Sequence, residues 1–343
     1  MSRDSDSISE LGPVPHASSV TERSGSAQSG FVRPIWFDML ARHCFAGQKV
    51  VMQRASFGSA SVILPLVERS DRLTALANYY SFTFGPLFQG TGDQAVRSDL
   101  LGALAADLRT KHHRISLYPL VGEEGAANLL RRAFAGAGWI AMLTGLGVNH
   151  VLNVEGRNFA AYWAERPGAL RSSVSRKGRS DRYRFEVHSA LTEPLWQDYL
   201  AVYGASWKNA EPYPLMIREI AQEAASRGVL RLGFARENEN PVAVQLWTIE
   251  SETACIHKLA HDKTHDQQSP GTLLSHHMFA HMIDIERVAR IDYGTGGNAY
   301  KADWMEEQRP MLRLDCFDPR RAAMWLPALK TRISQLVHRP TWG

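Results

Sequence analysis

Residues 269–304 constrain the fold more than any other part of this 343-residue chain. The Pro270-Gly271 turn breaks any preceding strand, and Ser269 or Thr272 is a candidate cap for a following helix. Apolar residues then recur at helical spacing on one face, and a second apolar pair lies on nearly the opposite face. The two sets are Leu274, Met278, Met282, Ile285 and Ala289, and Phe279 with Ile283. This pattern predicts a helix that is covered on both sides.

A short buried strand and a glycine loop are expected after this helix. The helix should end near Arg290, and residues 291–293 are short enough to be the strand. Gly294, Gly296 and Gly297 allow backbone conformations that side chains would block. A glycine turn that opens a helix places N–H groups at the positive end of the helix dipole, which suits a phosphate. A plain loop leading into a helix is the alternative for the turn at residues 270–271.

Composition indicates a globular protein of two ordinary domains, with 44% hydrophobic and 22% charged residues. A formal charge of +4 is mild and does not by itself indicate nucleic acid. Cys44, Cys255 and Cys316 lie far apart, which favours reduced thiols in a cytoplasm over disulfides or a zinc site. Residues 1–30 are rich in Ser and Gly and are predicted to be a disordered tail, not a secretory signal. No segment approaches the ~20 apolar residues needed to cross a membrane.

The same order of predicted elements occurs twice along the chain. A hairpin, a glycine-rich connection, a helix and a short strand are expected in each half, which indicates a degenerate duplication. Strands that alternate with helices predict an α/β (α+β) fold with a mixed sheet flanked by helices. The first-half elements are residues 50–56, 61–69, 95–112 and 115–120, and the second-half elements are 229–235, 242–250, 253–261, the helix described above and 290–293. The predicted divisions are a tail at 1–30, halves at 31–155 and 156–318, and a C-terminal helical segment at 319–343.

Short motifs within residues 156–314 resemble those of GNAT acyltransferases. In their order they are most similar to the CelD-type (BioF-associated) acetyltransferases, which are related to the FemAB fold. These motifs are Trp207-Lys208, Lys258, Ser269-Pro270-Gly271, Asp292, Gly296, Tyr300-Lys301 and Trp304. Gln268 and Gly271 also fit the Gln/Arg-x-x-Gly-x-Gly/Ala loop of GNAT enzymes, although Leu273 stands where a small residue is usual. The resemblance implies tandem GNAT-like halves with the active site in the second.

The resemblance also implies where a donor and an acceptor would bind. An acyl-CoA pyrophosphate would lie at the loop that opens the helix, and Asn298 would hydrogen-bond the pantetheine arm. The loop residues in question are Gln268, Ser269, Gly271 and Thr272. Trp207, Lys208 and Lys258 would line the acceptor pocket, although one Trp in a loop is also often a cover over the core. A first-half glycine run, residues 89–92, lacks a companion Tyr-Lys segment, so the first half is expected to be structural or to shape the substrate site.

Four residues are candidates for the chemistry. Tyr300 would protonate the departing thiolate, or else be a half-buried ring whose hydroxyl is bonded locally. Lys301 would face the acyl carbonyl or a substrate phosphate, or else be a solvated lysine at a helix start. Asp292 would orient Lys301 or the substrate amine, or simply end a strand. His257 is a possible general base, or a packed histidine, and period-2 alternation puts Leu259 and His261 on its face and Lys258 on the other.

Two further clusters invite other interpretations. His276, His277 and His281 include a pair at i, i+4, but the segment HMFAH lacks the glutamate of an HExxH site, so packing is expected and no metal. Residues 171–184 hold six basic side chains and one acid. They form either a solvated face or a site for CoA phosphates, a phosphorylated sugar carrier or an anionic polymer. No aromatic pattern beyond Tyr183 accompanies them, so nucleic-acid binding is not expected.

The sequence thus favours an acyl-CoA-dependent N-acyltransferase that uses acetyl-CoA or another acyl-CoA as co-substrate. The acceptor would be an amine of a small molecule or an amino sugar, because the resembling family is associated with bacterial exopolysaccharide. One alternative is a FemAB-type transferase that uses aminoacyl-tRNA, and the Gln268/Gly271 remnant favours CoA over it. The other is a catalytically inactive carbohydrate-binding or partner-binding module.

Overall fold

The computed structural model describes residues 30–122, 125–296 and 299–337, so the predicted tail lies almost entirely outside it. Its helices are α1 Pro34–His43, α2 Gln94–Lys111, α3 Ala126–Gly136, α4 Phe159–Ala164, α5 Gly168–Lys177, α6 Glu193–Gly204, α7 Pro214–Ser226, α8 Pro270–Ala280, α9 Ala299–Ala302 and α10 Trp325–Val337. Its strands are β1 Val50–Phe57, β2 Ala60–Glu68, β3 Leu73–Ala75, β4 Leu87–Gln89, β5 Arg114–Val121, β6 Ile140–Asn153, β7 Arg184–His188, β8 Leu230–Glu237, β9 Asn240–Glu250, β10 Thr253–His261, β11 Arg290–Thr295 and β12 Glu307–Phe317. Within these ranges no helix is both long and apolar enough to cross a bilayer.

All twelve strands belong to one mixed sheet, which confirms the predicted fold class. The order is β1-β2-β3-β5-β12-β6-β11-β10-β9-β8-β7, with β4 paired to β2. The last strand of each half is exchanged with the other half. β12 lies against β5, and β6 lies against β11, while β12 and β6 pair with each other along the middle of the sheet. The predicted division after residue 155 falls just beyond β6, and the division into domains stays a prediction.

The duplication predicted from sequence is visible in the strand order on either side of this central pair. In the first half β3 and β5 are parallel and α2 crosses between them. In the second half β10 and β11 are parallel and α8 crosses between them. On the side away from the central pair, β3 has the antiparallel neighbour β2, and β10 has the antiparallel neighbour β9. The two halves therefore use the same local connections around a shared centre.

Core residues cover both faces of the second-half sheet, and α8 packs on one of these faces. Leu274, Met278 and Phe279 of α8 are fully buried, which confirms the prediction of a helix covered on two sides. Ile285 was expected to continue that buried face and is instead 69% exposed. A π-helical turn at His281–Ile285 follows α8, and the wider turn rotates the residues after it out of the α-helical register.

Candidate active site

The cleft of interest lies where two parallel strands separate. β10 and β11 are paired only from Thr253 to Cys255 on one strand and from Arg290 to Asp292 on the other. Beyond these pairs β10 continues to His261, while β11 pairs with β6. In sheets with crossover helices, ligands bind outside the carboxyl ends of parallel strands. The carboxyl ends of β10 and β11 lie at one edge, beside the beginning of α8.

A β-bulge in β10 changes which residues face this cleft. The register against β9 shifts between Ile256 and Lys258, so His257 is an extra residue in the strand. His257 and Lys258 consequently lie on the same face of the sheet, whereas Leu259 packs with the core of the other face. The prediction that His257 and Leu259 share one face, with Lys258 on the other, is wrong. Strict alternation fails because a bulge adds one residue to the strand.

His257 lies among aromatic rings and lines a small pocket with Phe31 and Trp36. Its ring centroid is 5.8 Å from that of Phe31 and 5.6 Å from that of Phe82, and one ring nitrogen is 2.8 Å from the Thr248 hydroxyl. Burial, reinforced by the charge of Lys258, lowers the pKa of His257 to about 3. A group with this pKa is neutral at physiological pH but is a weak proton acceptor. The geometry therefore favours the packed histidine over the general base.

An aromatic groove opens in front of Lys258, with a volume of about 420 Å³. Residues of both halves line it, because Tyr79 comes from the first half and the α6–α7 loop comes from the second. The lining residues are Tyr79, Tyr203, Trp207, Lys208, Asn209, Ala210, Glu211, Pro212 and Lys258. The structure thus brings together all three residues predicted for the acceptor pocket. Trp207 is 48% exposed, so it does not serve as a plug over the core.

Glu211 contacts a lysine and three tyrosine hydroxyls in and beside this groove. Its carboxylate pairs with the Lys258 ammonium and accepts hydrogen bonds from the hydroxyls of Tyr80, Tyr79 and Tyr203. Burial alone would raise the pKa of Glu211, but the hydrogen bonds from Lys258 and Tyr80 outweigh it and the pKa is lowered. Burial raises the pKa of Tyr79 and that of Tyr203 to about 12 each. Glu211 is therefore a fixed anion rather than a proton acceptor.

Lys208 is the second cation of the groove and differs from Lys258 in its surroundings. Its ammonium lies 5.8 Å from the Trp207 ring centroid and 6.0 Å from that of Tyr203. Burial, with a further contribution from the charge of Lys258, lowers the pKa of Lys208 to about 8. An amine with this pKa is partly neutral near physiological pH, which is the property expected of a proton acceptor in acyl transfer.

The beginning of α8 adjoins the groove through two rings. Trp207 packs on His261 with centroids 4.5 Å apart, and a Cβ added at Gly271 would lie 2.9 Å from His261 Nδ1. Gly271 is therefore needed for this close approach. Ser269 holds the N-cap position in a left-handed conformation, with φ 53°, and its side chain does not cap the helix. The Thr272 amide donates to the Ser269 carbonyl at 3.1 Å.

A lysine of the basic segment reaches this helix end. Lys177 at the end of α5 contacts the Ser269 hydroxyl through its ammonium. The donors that an anion would meet here are the Gly271 amide and Lys177, at the positive end of the α8 dipole, because the Ser269 hydroxyl already donates to the Asp266 carbonyl. Gln268 lies directly before this turn, and its side-chain oxygen is buried with no hydrogen-bond partner. The Gly271 amide, Lys177 and the helix dipole favour an anion site over a plain loop, whereas the Gln268 oxygen is an acceptor and would not bind an anion.

Asp292 ends the paired part of β11 and is buried in a polar cluster. Both of its carboxylate oxygens accept from the Asn149 side-chain amide at 2.9 Å, and one also accepts from the Gly294 amide at 2.8 Å. The Arg309 guanidinium lies 3.4 Å from the carboxylate. Burial raises the pKa of Asp292, and Arg309 opposes this rise. Asp292 thus bonds to the exchanged strands β6 and β12, and its charge also acts on Lys301, whose pKa it raises against the effect of burial.

Tyr300 and Lys301 follow the glycine loop on α9. Lys301 is buried, and its ammonium donates to the carbonyls of Tyr293 and Thr295 at 3.0 and 2.7 Å, so it is not a solvated lysine. Burial lowers the pKa of Lys301. Tyr300 is 43% exposed and packs edge-on against Tyr293, with centroids 5.8 Å apart. Asn298 lies outside the described residues, and the catalytic roles of Tyr300, Lys301 and Asp292 stay predictions.

The three histidines of α8 and its π-helical extension make packing contacts. His276 packs edge-on against Trp163, with centroids 4.5 Å apart, and His277 stacks on Phe185 at 5.2 Å. His281 is 3.1 Å from the Glu286 carboxylate. Burial lowers the pKa of both His276 and His277. Packing thus accounts for these side chains.

Sequence reasoning missed the residues that complete the groove, above all Glu211 and the tyrosines of the first half. The segment SWKNAEPYP contains Glu211 close to Trp207, which was a usable signal. Nothing in the local pattern around Tyr79 indicates that it meets residues more than a hundred positions away. Lys177 was part of a noted basic run, but its proximity to Ser269 depends on tertiary packing of α5 on α8.

Comparison with known proteins agrees with this geometry. Residues 168–302, from α5 to α9, match the family described as the acetyltransferase (GNAT) domain. No curated protein matches the chain in sequence. The part of the chain from α5 to α9 is therefore similar in sequence to the GNAT acetyltransferase domain.

Solved structures extend the likeness to most of the chain. FemX is similar with a TM-score of 0.58 at 10% identity, over 91% of this chain and 96% of that chain. L-PGS from Bacillus licheniformis gives 0.53 at 13% identity, over 90% and 97%. The C-terminal domain of a protein assigned as a lysylphosphatidylglycerol synthetase from Agrobacterium fabrum gives 0.54 at 16%, over 88% and 91%. At such identities these likenesses establish a GNAT/FemAB-like fold and leave the CelD branch a proposal.

Proposed function

We propose that this protein is an acyl-CoA-dependent N-acyltransferase whose active site is the cleft between β10 and β11. The observation that carries the proposal is the contact chain from Gly271 through His261 to Trp207. It joins a helix N-terminus suited to a phosphate to an aromatic groove that holds a lysine of lowered pKa. A donor at the helix and an acceptor in the groove would meet at the edge where the strands separate.

In the proposed reaction an amine of the acceptor attacks the thioester carbonyl of acyl-CoA. A C–N bond forms, the C–S bond breaks, and the amine loses a proton while the thiolate gains one. Lys208 is the candidate proton acceptor, because it lines the groove and its pKa is near neutrality. His257 is a poorer candidate, since its pKa is about 3 and aromatic rings enclose it. Tyr300 remains the candidate acid for the departing thiolate.

The groove supports an amine-bearing sugar or small molecule as the acceptor. Flat aromatic faces at Tyr79 and Trp207, 56% and 48% exposed, offer stacking surfaces for an amphipathic substrate. The paired charges of Glu211 and Lys258 offer hydrogen-bonding groups to hydroxyl or ammonium substituents. The contribution of Tyr79 to the groove supports the proposal that residues 31–155 shape the substrate site for a catalytic half at 156–318.

A transferase that uses aminoacyl-tRNA is the second candidate, and the likeness to FemX over 91% of this chain favours it. A catalytically inactive binding module would keep the groove but lack donor binding. Melting temperatures separate the three proposals, because a ligand that binds only the folded state stabilises it by mass action. An acyl-CoA donor predicts a rise with acetyl-CoA or a longer acyl-CoA and none with charged tRNA. A rise with charged tRNA alone supports the second candidate, and no response to either supports the third.

Turnover requires a separate measurement. An amine library that includes amino sugars, incubated with acyl-CoA and a thiol-detecting reagent, would identify the acceptor. Release of CoA thiol that depends on a specific amine is the expected result. Donor binding without thiol release from any amine would contradict catalysis while leaving donor binding intact.

A further inference from the structure

Helix α10 turns an apolar face toward solvent. Four large apolar side chains of this helix are at least half exposed. They are Trp325 at 57%, Leu326 at 61%, Leu329 at 56% and Ile333 at 50%. A contiguous exposed apolar patch of this kind is typical of a surface that binds another protein or a membrane.

The other side of the same helix is fixed to the protein, so its orientation is set. Ala328 is buried in a small cluster with Met142 and Phe317. The Gln335 side-chain amide donates to the Leu143 carbonyl of β6 at 2.5 Å. These contacts leave the four exposed apolar side chains, called the apolar arc below, facing solvent.

Basic residues border the apolar arc on both sides. At about 100° per residue, the four apolar side chains span an arc of roughly 100°, with Arg332 just beyond one border and Lys330 beyond the other. Both are exposed. Across residues 319–343 the chain contains no Asp or Glu and five Lys or Arg, namely Arg320, Arg321, Lys330, Arg332 and Arg339.

We propose that α10 binds the surface of an anionic lipid bilayer and inserts its apolar arc among the acyl chains. Interfacial helices combine these features, because apolar side chains enter the bilayer while Lys and Arg meet the phosphates. Trp325 suits the headgroup level, where amphipathic rings are enriched. A second copy of this chain would also bring its own basic border to the contact, and the resulting repulsion favours the lipid surface.

Co-sedimentation of the full chain with vesicles tests this proposal. Vesicles that contain phosphatidylglycerol should bind the protein, pure phosphatidylcholine vesicles should not, and added salt should weaken the binding. The double variant Leu329→Glu/Ile333→Glu should lose binding by at least about tenfold, because a charge must enter the apolar layer. Lys330→Gln/Arg332→Gln should also lose about tenfold. Ile285→Glu is the matched control at another exposed apolar site and should bind like the wild type.

Two outcomes would overturn the proposal. Wild-type protein could fail to bind phosphatidylglycerol vesicles, or the Leu329→Glu/Ile333→Glu variant could bind them equally well. Analytical ultracentrifugation addresses the competing occupant. A dimer that this variant dissociates, without any vesicle binding by the wild type, would assign the face to a second copy. Circular dichroism melting of each variant confirms that it is folded.

Discussion

The two crossover helices occupy matching places in the two halves but begin differently. At α2 the Asp93 carboxylate accepts from the Val96 amide at 2.9 Å, so a fixed negative charge caps the helix. At α8 Ser269 makes no side-chain cap, the Lys177 ammonium contacts its hydroxyl, and the preceding Asp266 carboxylate is paired with His261. An anion would be repelled at the first helix and attracted at the second. The duplicated connection is thus retained in both halves, while only the second is suited to a phosphate.

The glycines at the starts of these helices also differ: Gly90 precedes α2, whereas Gly271 is the second residue of α8. A Cβ at Gly90 would lie 2.0 Å from the Ser59 carbonyl oxygen, so backbone packing of the β1–β2 turn requires glycine there. A Cβ at Gly271 would meet a His261 ring nitrogen at 2.9 Å, which is a side chain of the candidate site. A glycine near a helix start can therefore be required by backbone packing or by a neighbouring side chain. Backbone packing thus accounts for Gly90 in the first-half glycine run.

The largest expected effect compares two buried carboxylates, Asp292 on β11 and Asp315 on the exchanged strand β12. Asp292→Ala should lower the free energy of unfolding by about 3 kcal/mol, because the buried Arg309 would lose this carboxylate. Asp315 accepts from Ser116 at 2.6 Å and pairs with Arg313, whose side chain is 42% exposed. Asp315→Ala should therefore cost only about 1–2 kcal/mol. Urea unfolding of both variants checks the difference, and equal losses would contradict it.

Tyr300→Phe tests the proposed acid. If Tyr300 protonates the departing thiolate, the turnover number should fall about 10²-fold while the melting temperature stays close to that of the wild type. A hydroxyl that only bonds locally predicts a loss of ~1 kcal/mol in stability with turnover unchanged. Steady-state kinetics and a thermal melt on the same preparation separate the two interpretations.

The lowered pKa of Lys208 predicts that the free energy of unfolding depends on pH. Its pKa is about 8 when folded against an ordinary value of 10.5, so between these values the unfolded chain binds more protons. The free energy of unfolding should therefore rise as pH increases through this window. Solvent screening limits the rise to about 1–2 kcal/mol. Lys208→Met removes the titrating group, and unfolding at the two ends of the window should then show a smaller rise. An identical rise in the variant would assign it to another group.

The same titration bears on the proposed chemistry. The wild-type rate should increase with pH up to about 8 as Lys208 loses its proton. Lys208→Met should flatten that part of the profile, whereas His257→Ala should leave its inflection in place, since the pKa of His257 is about 3. An inflection that disappears in His257→Ala alone would restore His257 as the base.

Local patterns predicted the elements well and their pairing poorly. The hairpin of β1 and β2, the helix α2 and the strand β10 lie close to their predicted bounds because apolar periodicity and turn residues are local signals. The helix α8 begins at the predicted turn but ends at Ala280, and its π-helical continuation ends at Ile285, short of the predicted end near Arg290. The exchange of β6 and β12 joins residues far apart in sequence, and no local feature sets that register. The bulge at His257 and the π-helical turn at His281–Ile285 likewise shift side chains without a distinct signature.

The candidate site shows the same limit. Trp207, Lys208 and Lys258 were predicted together from their motifs, and they line one groove. Tyr79 and Lys177 reach the site through packing between distant segments, which periodicity does not encode. Lys301 was expected either to face a substrate or to be solvated. Its ammonium instead donates to backbone carbonyls of the segment before it. Burial of a charge depends on the whole fold and not on its own motif.

The central claim is that the donor binds at α8 and not at α2, and calorimetric titration of acetyl-CoA tests it most directly. Ser269→Asp places at α8 the carboxylate that Asp93 places at α2, in a left-handed position that Asp tolerates. It should weaken binding at least tenfold, which is about 1.4 kcal/mol. Asp93→Ser is the matched exchange and should leave the affinity unchanged. Equal affinity in Ser269→Asp and the wild type, or a loss in Asp93→Ser, would contradict the claim.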